Sequence, residues 1–375
     1  MSKPALSKAA GLPQERIIAL DYLRGFFILV IIIDHLNRWP SLFVVFTGQG
    51  ALWASAAEGF FIISGFLIGY IRGRKDIKKP LREVTMKLVK RAAMLYAWSV
   101  GLSLLYIVTI WNLKIDPSLR PDMFFAQYDW RDAITQVVSQ NYAAGWSYFL
   151  KLYWIMLLLS PLVVYLFRKR LEWVVAAISI ITWLIGIPLH TDWLQWQILF
   201  FLPAIAGFHL DTIRAWFAER TPRTRKTITW TIFGSFAFTA ALSAFWTLGW
   251  PLVEGAHAIM SREIYVQYRT WIDPLFGRDP VAALRIITSF LWVTALLLLF
   301  HKLVPFIKKW LHWLLLSFGT RSLTAYTMHG LLLVGVQTLL PISTNIYYNS
   351  AIGLGMVLLV WLLLQQKFIQ RVFPR

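Results

Sequence analysis

Ten predominantly apolar stretches run along the chain, at about 18–38, 53–72, 90–113, 146–167, 172–188, 193–210, 228–249, 286–300, 311–338 and 349–369. Roughly 20 apolar residues in helical form cross the hydrocarbon core of a bilayer. Inside that core a backbone must satisfy its own hydrogen bonds, which leaves helices or closed barrels. Composition excludes a soluble alternative: 58% of the 375 residues are hydrophobic and 15% charged, against about 45–50% and about 25% in an average soluble chain. The fold expected is therefore all-α, a polytopic integral membrane protein with about ten transmembrane helices. The stretch 18–38 is followed by no small-residue cleavage site, so it reads as a retained first helix and not a signal peptide.

The basic residues give an orientation. Segments 1–17, 72–91, 168–172, 211–226, 301–309 and 367–375 fall on one side and hold 26 of the 37 Lys and Arg. The opposite loops hold 8, together with 9 acidic residues. By the positive-inside rule the first side is cytoplasmic, so both termini are expected there and the number of spans is even. The net charge of +19 is thus topology and not a nucleic-acid footprint. The block from Arg72 to Arg91 also suits anionic lipid head groups. A single membrane domain over 1–375 is expected, with a cytoplasmic tail at 1–17 and long extracytoplasmic loops at 114–145 and 250–285. Both loops mix Trp, Tyr, Asp and Arg. Rings interleaved with carboxylates suit a carbohydrate, and Trp271 and Asp273 are the candidate contacts, although aromatics are also enriched at any membrane interface.

Ionisable residues inside spans are costly and mark function by default. The first helix carries Asp21, Arg24, Asp34 and His35. Arg24 and His35, eleven residues apart, return to one helical face, separated along the axis by roughly 16 Å. Asp21 is spaced to pair with Arg24, and the plainer alternative is a buried Asp–Arg pair that only fixes packing. Glu58 and Ser64 lie in the second stretch, Gln197 in the sixth, and Arg321 and His329 in the ninth. The cytoplasmic half thereby offers Arg24 and Arg321, and the outer half His35, Glu58 and His329. Glycines at 65, 69 and 73 indicate close helix packing. There is no Walker A loop, dinucleotide fingerprint, HExxH helix or GxSxG elbow. The absence of cysteine removes disulfides, thiolate metal sites and thiol nucleophiles, and nothing supports a metal.

Arg24 and His35 in LDYLRGFFILVIIIDH resemble the R-x10-H signature of the acyltransferase-3 superfamily of integral-membrane acyltransferases. Within it the chain is most similar to the OpgC type, the succinyltransferases of osmoregulated periplasmic glucans. AAEGFFIISGFLIG, with Glu58 and Ser64, LKLYWIMLLLSPL, with Tyr153, WQILFFLPAIAG, with Gln197, and FGTRSLTAYTMH, with Arg321 and His329, resemble family blocks in order across positions 21–329. The block before Arg285 follows the family pattern only loosely.

The resemblance implies transfer of a succinyl or acetyl group from a cytosolic acyl-CoA to a hydroxyl of an extracytoplasmic glycan, in a bacterial inner membrane. Acyl-CoA is then a co-substrate, with no permanently bound cofactor. The acceptor hydroxyl needs a general base, and neutral His35 suits that role, with Asp34 or Glu58 orienting it. Ser64, Gln197 or His329 could donate to the oxyanion. Arg24 and Arg321 could hold CoA phosphates or a succinyl carboxylate, so the donor-side set is Arg24, Arg321, Asp21, Ser64, Gln197 and Tyr153. The rival readings are a transporter or flippase using the buried ionisable residues as an ion or proton path, and a purely structural or sensory protein. Against the transporter, the sequence shows no two-fold repeat of broken helices. The charge asymmetry predicts that a periplasm-only reporter fused after Arg375 stays inactive. Activity there would overturn the even-span topology.

Overall fold

A computed structural model describes residues 17–113, 129–254, 258–341 and 343–372, and among these the chain is entirely helical apart from one isolated bridge between Arg278 and Val281. The helices are α1 (Ile18–Leu36), α2 (Val44–Thr47), α3 (Ala56–Leu67), α4 (Leu81–Leu113), α5 (Trp130–Val138), α6 (Tyr148–Arg168), α7 (Glu172–Gly186), α8 (Asp192–Trp196) and α9 (Ile198–Phe208). They continue as α10 (Leu210–Ala218), α11 (Pro222–Leu248), α12 (Arg262–Ile272), α13 (Ala283–Trp310), α14 (His312–Thr320), α15 (Ser322–Leu339), α16 (Ile346–Gln365) and α17 (Lys367–Val372). The tail expected at 1–17 and the first part of the 114–145 loop fall almost wholly outside the described residues.

The protein is an integral membrane protein. Six of the described helical segments are long and apolar enough to cross a bilayer, or seven if the pair Asp192–Phe208 and Leu210–Ala218, bent by 59°, is one span. The other three apolar stretches are helical too, and each departs from a simple span for a visible reason. Helix α1 carries Asp21, Arg24 and Asp34, α7 is 15 residues long, and the stretch 311–338 is broken at Arg321, whose φ of −123° and ψ of 37° separate α14 from α15.

Helix α1 lies at the centre and packs against α3, α13, α14, α15 and α16. Its apolar residues Tyr22, Leu23, Ile28 and Ile32 are fully buried, which a helix this rich in charge needs to stay in place. Two glycine contacts set the tightest crossings. A Cβ on Gly319 would run into the carbonyl of Asp21, and one on Gly25 into the carbonyl of Leu315, so α1 and α14 meet backbone to backbone. Gly65 and Gly69 abut α9 at Phe200 and Ala204 in the same way, as their spacing leads one to expect. After Leu67 the chain loosens into a π-helical stretch, Ile68–Arg74, before the basic segment. Helix α11 stands at the edge, with only Ser243 fully buried. It is attached by hydrogen bonds from the Trp53 amide to Ser243 Oγ (2.8 Å) and from Trp292 Nε1 to Thr239 Oγ1 (2.9 Å).

A valine at Gly319 must push two backbones apart, an overpacking cost of about 1–3 kcal/mol or more. Gly319→Val should therefore lower the thermal midpoint in detergent, whereas Gly355→Ala, which faces open space, should not. Equal midpoints would contradict the close crossing.

Candidate active site

Polar contacts join α1 and the residues just after it to α15 and the residues just after that, in the same order along both. Towards the N-terminal ends Arg24 Nη2 donates to Ser322 Oγ at 2.5 Å, with the guanidinium 5.5 Å from the Phe60 ring centroid. Further along, His35 Nδ1 lies 2.9 Å from Nε2 of His329. Just past the C-terminal end of α1, buried Arg38 donates to the carbonyls of Pro341 (2.7 Å), Leu340 (2.5 Å) and Val336 (3.2 Å). The two helices therefore run parallel. Arg38 thereby supplies donors to the Leu340 and Pro341 carbonyls just past the C-terminus of α15.

His329 is fully buried, and its Nδ1 has no hydrogen-bond partner among the described residues. Its ring is 5.1 Å from that of His35, and Tyr326 crosses it edge-on at 4.8 Å. Tyr326 is fixed in turn by donating to the carbonyl of Trp146 at 2.6 Å. His35, only partly buried, lines a half-open cavity of about 390 Å³. The remainder of that wall includes Phe61, Trp146, Tyr148, Asp192, Trp196, Arg278 and Asp279.

The two carboxylates expected to orient His35 do not do so. Asp34 follows the helix round to the other side, since neighbours on a helix do not share a face, and sits beside Thr47 and Gly50. Glu58 is occupied on both oxygens. One accepts from Arg285 Nε at 2.7 Å, and the other accepts from the Ser55 amide at 2.9 Å and from its hydroxyl, closing a capping box at the start of α3. Arg285 also donates to the carbonyl of Phe276 at 3.1 Å, so this buried pair ties α3 and α13 to the outer loop. The side chain that meets His35 Nδ1 is instead His329.

The remaining candidates are dispersed. Arg321 sits next to Ser322, at the level of Arg24, but donates to the carbonyl of Leu364 on α16 at 2.5 Å. Asp21 is buried at the α1–α14 crossing. Ser64 is buried on α3, and its hydroxyl has no hydrogen-bond partner among the described residues. Tyr153 packs among Phe60, Phe61 and Phe200 and is part of the aromatic core. The Gln197 amide donates to the carbonyls of Ser179 (2.7 Å) and Leu194 (3.1 Å), bracing α7 against α8, and does not line the cavity. Trp271 is 75% exposed and Asp273 pairs with Arg269 at 2.8 Å, so neither reaches the cavity, and Arg278 and Asp279 of the same loop do. Among the described residues no group of histidine and acidic side chains could hold a metal.

Fold and site together define a helical membrane protein with a histidine, backed by a second buried one, at the wall of a polar, aromatic cavity. The family model described as OpgC protein matches residues 16–367, nearly the whole chain, and the protein belongs to the OpgC family. No curated protein and no solved structure matches it.

Removing one partner of a buried ion pair strands a charge at a cost of about 3–5 kcal/mol. Arg285→Ala should thus destabilise the protein severely in thermal melts, and Glu58→Gln added to it should recover part of the loss. A double variant no better than the single would contradict the pairing.

Proposed function

We propose that the protein is a membrane-bound O-acyltransferase that moves an acyl group, succinyl or acetyl, from a cytosolic acyl-CoA to a hydroxyl of an extracytoplasmic glycan. It would do so in a bacterial inner membrane, with ten spans and both termini cytoplasmic. The family supports a glucan-modifying enzyme, and the observation that carries the chemistry is His35, backed by His329 and lining a cavity with tryptophan and carboxylate walls. A transporter reading gains nothing from this pair, because the histidine contact ends in a hydrogen-bonded aromatic cluster, with Tyr326 donating to the Trp146 carbonyl.

The proposed mechanism uses one tautomer of each ring. With the proton of His329 on Nδ1, its Nε2 accepts from His35 Nδ1–H. That leaves the lone pair on His35 Nε2 to take the proton of the acceptor hydroxyl. The alkoxide oxygen bonds to the thioester carbonyl carbon, giving a tetrahedral oxyanion. The oxyanion collapses with cleavage of the carbon–sulfur bond, and the thiolate takes the proton back from His35, yielding ester and CoA thiol. No covalent acyl-enzyme is needed. Arg24 is our candidate for the donor's phosphates, because its planar fork contacts two oxygens at once. Ser64, a buried hydroxyl without a partner, is the candidate donor to the oxyanion.

His35→Ala should lower transfer by about 10²–10⁴-fold or more while leaving folded protein. His329→Ala should cause a smaller loss, because the base remains but its tautomer is no longer fixed. Turnover of purified protein with acyl-CoA and glucan checks both. Full turnover by His35→Ala would place the base elsewhere. Replacing Arg24 by Lys keeps the charge but loses the fork, so it should weaken acyl-CoA binding more than it alters glycan selectivity. A native melting curve with unchanged donor affinity would remove Arg24 from the donor site.

A further inference from the structure

The outer wall of the cavity is polar in a particular way. Tyr148 donates its phenolic proton to the carboxylate of Asp192. The guanidinium of Arg278 stands 5.5 Å from the ring centroid of Trp196, with Asp279 next in the chain. These side chains come from three separate parts of the sequence, and the loop that carries Arg278 and Asp279 is held firmly. The Val281 amide donates to Gln195 Oε1 at 2.7 Å, and the Val281 carbonyl accepts from Trp183 Nε1 at 2.8 Å. Upstream, the Phe276 ring stacks on Trp53 with centroids 3.7 Å apart. The positions of Arg278 and Asp279 are thus built into the fold and face the same cavity as His35.

We propose that Asp192, Arg278 and Asp279, with Tyr148 and the Trp196 indole, form the acceptor subsite, and that it selects an uncharged sugar ring over an anionic one. This deepens the acyl-transfer reading and rests on it. Charge is the first argument. Among the described residues that line the cavity Arg278 is the only Lys or Arg, and the carboxylates of Asp192 and Asp279 share the wall with it, so the wall is not a seat for an anion. Lys151 lies behind, with Nζ 5.5 Å from the Tyr148 ring centroid, and is not part of the lining. Hydrogen-bonding chemistry is the second. Sugar hydroxyls donate to carboxylates and accept from a guanidinium or phenol, and one wall offers all three. The third is the apolar floor of Ile31, Ala57 and Leu152, together with the indoles of Trp146 and Trp196, which suit the C–H faces of a pyranose. A cavity of about 390 Å³ lies within the range for small-molecule sites, about 300–1,000 Å³. The same charge count argues against Arg278 binding the free carboxylate of a dicarboxylic acyl group.

The test uses the full-length protein in detergent, with acetyl-CoA and succinyl-CoA as donors. The acceptors are neutral gluco-oligosaccharides and the same oligosaccharides with their primary alcohols oxidised to carboxylates. The wild type should favour the neutral acceptor by roughly tenfold or more in kcat/KM. Arg278→Gln, Asp279→Asn and Asp192→Asn should each raise the acceptor KM by about tenfold, as expected for loss of a hydrogen bond to an ionised group. Donor affinity, measured by titration, should stay the same. The Asp192→Asn/Asp279→Asn double variant should narrow the discrimination against the carboxylated acceptor. Arg278 and Asp279 are exposed, so their replacement spares the fold, and a melting curve on each sample verifies this. Equal use of both acceptors, with acceptor KM unchanged in all variants, would overturn the subsite alone, as would a loss that falls on the KM for succinyl-CoA. A wild-type protein that acylates no hydroxyl would overturn the subsite and the acyl-transfer reading together.

Discussion

The polar seam between α1 and α15 fixes the register of everything that follows. In a hydrocarbon medium each unsatisfied polar group costs several kcal/mol, so the contacts Arg24–Ser322, His35–His329 and Arg38 to the carbonyls just past α15 cannot be broken lightly. Sliding one helix by a single turn, about 5.4 Å, would lose all three at once. The backbone contact of Gly25 and Gly319 presses α14 against the same helix from another side. A histidine standing on such a seam has little freedom, and a base has to be held in this way to meet a substrate repeatedly.

Much of this was legible in the chain. Hydropathy marks all ten helical stretches, and the spacing of Arg24 and His35 puts them on one face of α1. Depth along the helices is also readable, since their positions in the two apolar stretches put His35 and His329 at one level, and they do meet. Partnership is harder to read than depth. Glu58 looked available to His35 because its ion pair is with Arg285, 227 residues away in sequence. Asp34 looked available by adjacency, although adjacency on a helix sends side chains in different directions. The break at Arg321 was hidden within a continuous apolar run, because nothing local in GTRSLT forbids a helix. It is decided by tertiary contacts such as Arg321 to the Leu364 carbonyl and Arg24 to Ser322.

The segment around 250–285 shows the same limit: Trp271 and Asp273, singled out by composition, do not line the cavity, whereas Arg278 and Asp279 do. What separates them is the pinning of Val281 by Gln195 and Trp183, 86 and 98 residues earlier in the chain. A loop's register against a distant surface leaves no pattern in its own residues. Arg285 is similar: a basic residue near an interface reads as topology, and only the fold reveals it as the partner of a buried carboxylate.

In the proposed transfer the donor comes from the cytoplasmic side, the acceptor from the outer side, and His35 stands where they meet. Proteoliposomes of uniform orientation test this most directly, with acyl-CoA confined to the cytoplasmic face and a neutral glucan to the opposite face. Wild-type protein should release acylated glucan on the acceptor side, and His35→Ala should release none above background. Acylation only when donor and acceptor share one compartment, or undiminished product from His35→Ala, would contradict it.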